Sequence, residues 1–330
     1  MSTDEKLMEQ VKAILIARSK EAMQLARQAV VEEQFKSETL QEALRYFMME
    51  FWFDASHPTL LSMACEAVGG DSNETVEVGA SLSLLAGAAD IHDDIIDISL
   101  TKDSKPTVFG KFGKEIAIIA SDVLWIKGMH LLSKACEAFP SGKKHAIQTL
   151  ITQALFDIGS AEAKETCLKG ISDLKPEDYL GLIELKVSIA AASAQVGGII
   201  GNGTVEQIES LRQFGKTLGV LMTVRDEFID MFELEELTNR FKNECLPLPI
   251  LYAFQDETLA RKVMSLLKKP RTTEGDLKEI LDLVTNAKPV QKLAADMRLS
   301  VNTAIQNLIW INENHDFVTL LESSLQGLTN

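Results

Sequence analysis

The stretch Leu84–Asp97, LLAGAADIHDDIID, places four aspartates in a run of small and apolar residues. The surrounding segment, Thr75–Ser99, is rich in alanine and leucine and predicts a long helix. Residues four positions apart share one face of a helix, so Asp93 and Asp97 are expected to project together. Carboxylates among apolar neighbours need a counter-charge, and hard oxygen donors of this kind suit Mg²⁺.

A second acidic cluster repeats this pattern farther along the chain. Asp226 and Asp230 have the same spacing in the stretch RDEFID, inside a predicted helix, Val205–Met231. One such cluster in a helical protein is more often a solvated polar face than a site. Two of them, each in an apolar helix, favour a pair of helices that hold divalent metal ions between them.

The charge composition indicates which classes of molecule the protein can bind. The 330 residues include 33 Lys and Arg against 48 Asp and Glu, which gives a net charge of −15. Proteins that bind a phosphate backbone usually show a basic face, so no nucleic-acid partner is expected. If the substrate is also anionic, metal ions or a few clustered basic residues must neutralise it locally.

The N-terminal residues, the apolar tracts and the cysteines indicate the cellular compartment. The first 29 residues carry several charges and no uninterrupted apolar run, so no signal peptide is expected. The longest apolar tract, Ile189–Ile200, is broken by polar residues and glycines, and indicates a buried helix rather than a transmembrane segment. The four cysteines are far apart and lack metal or redox spacing. We therefore expect a cytoplasmic protein.

Helical periodicity dominates the rest of the chain, and alternating strand patterns are nearly absent. The sequence thus predicts one all-α domain over residues 1–330. Further predicted helices are Leu40–Phe53, Pro58–Val68, Glu115–Phe139, Lys143–Lys169 and Pro176–Ile200, and a loop is predicted at Lys102–Gly113.

Several stretches, taken in order, resemble the trans-isoprenyl diphosphate synthase (polyprenyl synthetase) family. The two acidic clusters match its two aspartate-rich motifs. The resemblance runs from about Ala43 to Ala253, with 254–330 as C-terminal helices, and the chain is a divergent member. The other matching stretches are CEAVGG (Cys65–Gly70), GKFGKEIAIIASDVL (Gly110–Leu124), YLGLIELKVSIAAASAQVGG (Tyr179–Gly198) and NECLPLPILYA (Asn243–Ala253).

The resemblance implies an antiparallel bundle of long helices around a deep central cavity. It also implies that an allylic diphosphate is condensed with isopentenyl diphosphate in a reaction that needs about three magnesium ions per site. The catalytic residues would be Asp93, Asp97, Lys186 and Asp226. The metal ligands would be Asp93, Asp94, Asp97, Asp226 and Asp230. A homodimer is expected, with a hetero-oligomer containing a second synthase subunit as the alternative.

Three departures from the family affect substrate binding. The segment Glu50–Pro58, where the family supplies Lys and Arg to isopentenyl diphosphate, offers only His57. The family's paired arginines after the first motif appear as Lys102-Asp103, and Glu227 replaces an aspartate in the second motif. The predicted substrate-binding residues are Lys186, Lys102, Lys105, Arg225, His57, Ala88 and Ala89. Other basic residues that could compensate are Arg45, Arg240 and Lys242.

These departures leave three functions open: a self-sufficient synthase, an enzyme that ionises the allylic diphosphate but uses another acceptor, and a partner subunit of a heteromeric synthase. Product length is also open. In the family, residues one to three turns before the first motif line the cavity floor, and here they include Ala88 and Ala89. Small side chains favour a product of about twenty carbons or more, but they would equally allow close helix packing.

Overall fold

The computed structural model describes residues 3–102, 104–170, 174–312 and 314–326. The first seven helices are α1 (Thr3–Val31), α2 (Glu38–Tyr46), α3 (Ser56–Ala67), α4 (Val76–Ile96), α5 (Val108–Phe112), α6 (Lys114–Ala135) and α7 (Ser141–Leu168). The others are α8 (Pro176–Lys186), α9 (Ser188–Ile200), α10 (Val205–Asp230), α11 (Leu234–Asn243), α12 (Leu248–Ala253), α13 (Glu257–Leu267), α14 (Glu274–Thr285), α15 (Lys288–Asn307) and α16 (His315–Ser323). The prediction of an all-α fold is confirmed.

The described strands form one short antiparallel hairpin, β1 (Thr101–Lys102) and β2 (Lys105–Pro106). This hairpin and α5 occupy the segment that was predicted to be a loop. Ser104, in the hairpin turn, has a positive φ of 61°. The hairpin follows α4 directly, so it carries Lys102 back towards the helix of the first aspartate motif.

Close helix contacts organise the centre of the molecule. Helix α4 packs against α6 and α1, and α9 packs against α3, α7 and α10. A Cβ added at Gly215 of α10 would lie 2.5 Å from the carbonyl oxygen of Ala190 on α9, so these two helices can approach only because residue 215 is glycine. This packing fixes where the second aspartate motif lies relative to the rest of the bundle.

Two predicted helices are interrupted. The segment Leu40–Phe53 changes after Tyr46 into a π-helical turn, Phe47–Phe51, an irregularity often found beside functional sites. The predicted helix Pro176–Ile200 breaks at Val187 (φ −85°, ψ 6°) into α8 and α9. Lys186 therefore lies at the end of α8, immediately before the break, rather than inside a continuous helix.

Two helical stretches in the described residues are long and apolar enough to cross a membrane, Lys114–Ala138 and Pro176–Ile200. Most of the second is buried inside the molecule, as in the core helix of many bundles. A third of the most apolar part of the first is buried, and its exposed surface includes an apolar stripe formed by Ile119, Ile126 and Met129. Length and composition alone are weak support for a transmembrane segment.

Candidate active site

Helix α4 presents Asp93 and Asp97 on one partly exposed face, together with Ala86 and Ala89. These residues follow one another at intervals of three or four, as expected for one side of a helix. The helix ends in a Schellman-type cap, in which the backbone N–H of Ser99 donates to the Asp94 carbonyl at 2.8 Å. Ile98 holds the cap position usually given to glycine, with φ at 59°, which is a strained conformation for a β-branched side chain.

Asp94 lies on a different side of α4 and is fully buried. The ammonium of Lys102 lies 2.8 Å from its Oδ1 and 3.1 Å from Oδ1 of Asp90. Oδ2 of Asp94 has no hydrogen-bond partner among the described residues. Burial raises the pKa of Asp94 to about 7, although the Lys102 ammonium opposes this shift. In this arrangement Asp94 and Lys102, predicted to bind metal and substrate respectively, neutralise each other.

Asp97 also has a basic partner, Lys169, which no sequence motif indicated. Lys169, the residue that follows α7, places its Nζ 2.7 Å from Oδ1 of Asp97 and donates to the Ile96 carbonyl at 3.0 Å. Burial, followed by the negative charge of Asp93, raises the pKa of Asp97 to about 6. Lys169 thus neutralises part of the first motif and satisfies a carbonyl at the end of α4.

Lys186 faces the same space as Asp93. Its Nζ lies 3.0 Å from Oε1 of Glu162 and forms a close ion pair with Oε2 of Glu165. Burial raises the pKa of Glu162 to about 7, and the charge of Asp93 adds to this effect. The Asp93 carboxylate in turn favours the charged form of Lys186. The predicted lysine is therefore beside the first motif, held by two glutamates of α7.

The second motif lies at the C-terminal end of α10. Asp226 is 56% exposed and pairs with its neighbour Arg225, whose Nη2 is 2.7 Å from Oδ1 of Asp226. Asp230 is less exposed and accepts a hydrogen bond of 2.6 Å from Nη1 of Arg240 on α11. Burial raises the pKa of Asp230 to about 6 despite this arginine. Arg225 and Arg240 both bind motif carboxylates in this structure.

Glu227, the residue that departs from the family motif, is buried, and both of its carboxylate oxygens accept hydrogen bonds. Arg240 Nη2 donates to both of its carboxylate oxygens, at 2.9 and 3.0 Å. The hydroxyl of Tyr179 donates to Oε1 at 3.1 Å, and the backbone N–H of Leu248 donates to Oε2 at 2.7 Å. Glu227 therefore joins α10 to α8, α11 and α12.

The two motifs border one space. Tyr179 lies 3.3 Å from Oε1 of Glu165, the glutamate that holds Lys186, and so connects the Glu227 network to α7. On the other side, burial raises the pKa of Glu244 to about 8, and the charges of Asp97 and Asp93 contribute to this rise. Glu244 also lies 3.6 Å from Nε of Arg240. The first-motif carboxylates thus raise the pKa of Glu244, which lies beside the arginine that holds Asp230 of the second motif. A bound cation would relieve this crowding of negative charge.

The predicted substrate residues outside this space have other partners. Nδ1 of His57 lies 2.8 Å from Oδ2 of Asp54, which is buried. Burial alone would lower the pKa of His57, but the Asp54 carboxylate raises it above its usual value. Lys105 donates to the Glu50 carbonyl at 3.2 Å. The positive charge at His57 is therefore balanced locally by a carboxylate.

The two predicted alanines differ in position. Ala88 is fully buried, packs in a cluster with Ala117, Ala120 and Leu124 of α6, and has its carbonyl bound by the Ser121 hydroxyl at 2.8 Å. Ala89 is partly exposed on the side of Asp93. Of the two residues predicted to line the cavity, Ala89 is on the aspartate face, whereas Ala88 allows close packing of α4 against α6.

The donor chemistry fits magnesium. Asp93, Asp97, Asp226 and Asp230 offer hard, partly exposed oxygens, and Mg²⁺ typically takes one or two carboxylates and completes its shell with water and substrate phosphate. In the part of the chain that the structure describes, no three acidic, histidine or cysteine side chains form a ready-made metal site. This agrees with the pairing of each of Asp97, Asp226 and Asp230 with a basic residue.

Comparison with known proteins identifies the family. The profile of the polyprenyl synthetase family matches residues 55–284, which include both aspartate motifs, Lys186 and Arg240. The chain belongs to the polyprenyl synthetase family. Of the contacts described above, only Asp54–His57 and Lys105–Glu50 extend beyond the matched region.

Relatives of known function are distant. The chain is 29% identical over 184 residues to a short chain isoprenyl diphosphate synthase of Methanothermobacter thermautotrophicus, covering 54% of each chain. It is 26% identical over 258 residues to a chloroplastic solanesyl diphosphate synthase of Arabidopsis thaliana, covering 76% of this chain and 60% of the other. The chain spans only about half to two thirds of these relatives' lengths.

Solved structures show that the fold is shared over the whole chain. The geranylgeranyl pyrophosphate synthetase of Pyrococcus horikoshii superposes with a TM-score of 0.85 and 22% identity, covering 98% of this chain and 99% of the other. A polyprenyl synthase of Caulobacter crescentus, solved with calcium and isoprenyl diphosphate, superposes with a TM-score of 0.79 and 17% identity, covering 96% and 97%. The isoprenoid-synthase type of fold predicted from the sequence is confirmed.

Proposed function

We propose that this polyprenyl synthetase homologue is a magnesium-dependent prenyltransferase that condenses an allylic diphosphate with isopentenyl diphosphate. The observation that carries the proposal is that the first-motif aspartates lie beside Lys186 on one side and, on the other, beside Glu244, whose partner Arg240 holds Asp230 of the second motif. A site with four partly exposed aspartates and a lysine suits a diphosphate that arrives with its own metal ions. The net charge of −15 makes such local neutralisation necessary.

Each residue has a role in this proposal. Asp93 and Asp97 hold metal on one wall, and Asp226 and Asp230 hold it on the other, with about three magnesium ions in all. Magnesium held by these aspartates would supply Lewis-acid stabilisation of the leaving diphosphate as the allylic C–O bond breaks. Lys186, directed by Glu162 and Glu165, binds the same diphosphate. The double bond of isopentenyl diphosphate then attacks the allylic carbon, and a diphosphate oxygen accepts the proton that is lost.

The product is proposed to contain about twenty carbons or more. Ala86 and Ala89 leave the face of α4 below Asp93 free of bulky side chains. Leu82 follows on the same face, is fully buried, and packs in a cluster with Ile189 and Ala192 of α9. Leu82 lies eleven residues before Asp93, about 16 Å along the helix axis. An extended prenyl chain therefore has several turns of helix beside it before it meets the packed core.

The assembly and compartment are part of the same proposal. Ile119, Ile126 and Met129 form an exposed apolar stripe along α6, and Ile126 is 69% exposed. The 60% exposed Asp122 lies between Ile119 and Ile126 on the same face. Exposed apolar side chains grouped on one helix face are typical of a protein interface, which supports a homodimer. All four cysteines are free, as expected in a reducing cytoplasm.

One observation favours a second candidate. His57 is the basic residue predicted to replace the family's Lys and Arg at the isopentenyl diphosphate site, and Asp54 neutralises it. A second diphosphate would have to approach a pair with no net charge, which is unfavourable. The alternative is therefore an enzyme that ionises the allylic diphosphate but transfers the prenyl group to an uncharged acceptor or to water. A partner subunit of a heteromeric synthase is the third possibility.

A turnover assay on the purified protein separates these functions. It combines magnesium, labelled isopentenyl diphosphate and geranyl, farnesyl or geranylgeranyl diphosphate in turn. Longer labelled products support the condensing synthase. Release of diphosphate without isopentenyl diphosphate supports another acceptor. If none of the primers reacts, the condensing synthase and the enzyme with another acceptor are both contradicted. The next test is then whether the protein co-purifies with a complete synthase.

The matched variants in this assay are Asp93→Asn and Asp282→Asn. Asp93→Asn is expected to lower turnover roughly a thousandfold, because a metal ligand is lost. Asp282 is an exposed carboxylate on α14, so its replacement is expected to leave turnover unchanged. Equal activity of the two variants would contradict the role of Asp93 as a metal ligand.

A further inference from the structure

The pairing of Lys169 with Asp97 has no counterpart in the proposed reaction. The Lys169 side chain is 19% exposed and that of Asp97 is 16% exposed, so the pair is largely shielded from water. Its 2.7 Å hydrogen bond and the second bond of Lys169 to the Ile96 carbonyl hold the ammonium at the end of α4. A half-buried carboxylate needs such a counter-charge when no other cation is present.

The other lysines at the site are placed differently. Lys102 contacts Asp90 and Asp94 rather than Asp97. Lys186 contacts the glutamates of α7. Lys169 is instead bonded to an oxygen of an aspartate proposed to hold metal. A divalent ion and an ammonium group at the same carboxylate repel each other, so each disfavours binding of the other.

We propose that Lys169 is an internal counter-ion that competes with metal for Asp97 and, when released, binds the diphosphate of the substrate. This inference rests on the proposed function, because it takes a diphosphate as the ligand. Metal alone must displace an ion pair and leave Lys169 without an anion. Metal and diphosphate together satisfy both groups, since the diphosphate oxygens accept the hydrogen bonds that Lys169 gives up. Each ligand therefore strengthens binding of the other.

The test measures binding rather than turnover. Mn²⁺ is titrated into the purified protein, with and without inorganic pyrophosphate, and bound metal is followed by electron paramagnetic resonance. The wild type is expected to bind Mn²⁺ weakly alone and much more tightly with pyrophosphate. Lys169→Gln is expected to bind Mn²⁺ alone roughly tenfold more tightly, which corresponds to about 1.4 kcal/mol, and to gain less from pyrophosphate.

Two controls keep the test decisive. Lys164→Gln removes an exposed lysine from the last turns of α7, the helix that Lys169 follows, and is expected to behave like the wild type. Lys169→Arg keeps the ion pair and is expected to retain weak binding of Mn²⁺ alone, so it tests the idea even if Lys169→Gln folds poorly. Circular dichroism checks the fold of each variant.

The outcomes distinguish this inference from the proposed function. If Lys169→Gln binds Mn²⁺ with wild-type affinity and wild-type dependence on pyrophosphate, the counter-ion role is wrong while the metal site stands. If the wild type binds no Mn²⁺ even with pyrophosphate, the proposed metal-dependent function is wrong, and the inference falls with it.

Discussion

At the residue scale, three buried or partly buried carboxylates of the two aspartate motifs pair with basic residues of the same chain. The partners of Asp94, Asp97 and Asp230 are Lys102, Lys169 and Arg240. Burial nevertheless raises the pKa of all three carboxyls above the usual value. The basic partners thus reduce, but do not remove, the cost of holding these negative charges together.

The free-energy cost of burying the Asp94 carboxylate can be measured from the pH dependence of stability. Its carboxyl has a pKa near 3.8 when unfolded and about 7 when folded, so its contribution to stability is complete below the unfolded pKa and is lost as pH rises through about 7. Asp94→Asn removes a group that is ionised and buried at pH 8. The free energy of unfolding of the variant minus that of the wild type is therefore expected to be more positive at pH 8 than at pH 5.

Urea unfolding in metal-free buffer at the two pH values checks this expectation. Asp90 still pairs with Lys102 in the variant, which keeps the lysine from being left without a partner. Asp282→Asn, at an exposed position on α14, should show no such pH dependence relative to the wild type. A difference of opposite sign for Asp94→Asn would show that its ion pair with Lys102 outweighs burial.

At the element scale, Glu227 explains how the segment after the second motif is held. Its carboxylate accepts bonds from Arg240 of α11, Tyr179 of α8 and the first residue of α12, Leu248. The side chain in this position is therefore a connection between four helices. A shorter aspartate at position 227 would place its carboxylate about one bond length farther from these donors.

Glu227→Gln is expected to lower the free energy of unfolding by about 3 kcal/mol, because it removes the negative partner of a buried arginine. Asp230 and Glu244 still contact Arg240 in the variant, which keeps the loss from being larger. Chemical unfolding measures the change. Glu235→Gln, at an exposed position on α11, is the matched control and should stay within about 0.5 kcal/mol of the wild type.

Helix α4 should also set product length through its aspartate face. Ala89→Phe places a large side chain one turn below Asp93, so we expect products shorter than those of the wild type. Chromatographic sizing of labelled products gives the answer. Ala163→Phe, on the exposed side of α7, serves as the control and should leave the product distribution unchanged. Wild-type products from Ala89→Phe would mean that the prenyl chain runs elsewhere.

At the scale of the whole molecule, the apolar stripe on α6 has no partner among the described residues. A row of exposed isoleucine and methionine is costly in water, and a second copy of the chain would cover it. In a symmetric dimer the same stripe meets itself, so one substitution changes both sides of the interface.

Ile126→Glu is expected to weaken a dimer by at least roughly tenfold, because it places two carboxylates in an apolar contact. Sedimentation at several protein concentrations measures the dissociation constant. Leu299→Glu, a 65% exposed leucine on α15, controls for surface charge and should leave assembly unchanged. A wild-type monomer at all concentrations would rule out the homodimer directly.

The sequence by itself determined the all-α class, the two motifs with carboxylates four residues apart, and the family. These features are local, since helical periodicity and motif spacing are fixed by neighbours along the chain. Only the tertiary structure decided which charges meet. Lys169 lies 72 positions from Asp97, and Tyr179 lies 48 from Glu227. Likewise, the packing of α6 on α4 decided that Ala88 is buried in that contact while Ala89 lies on the aspartate face. Such pairings depend on how helices distant in sequence pack, and helical periodicity carries no record of that.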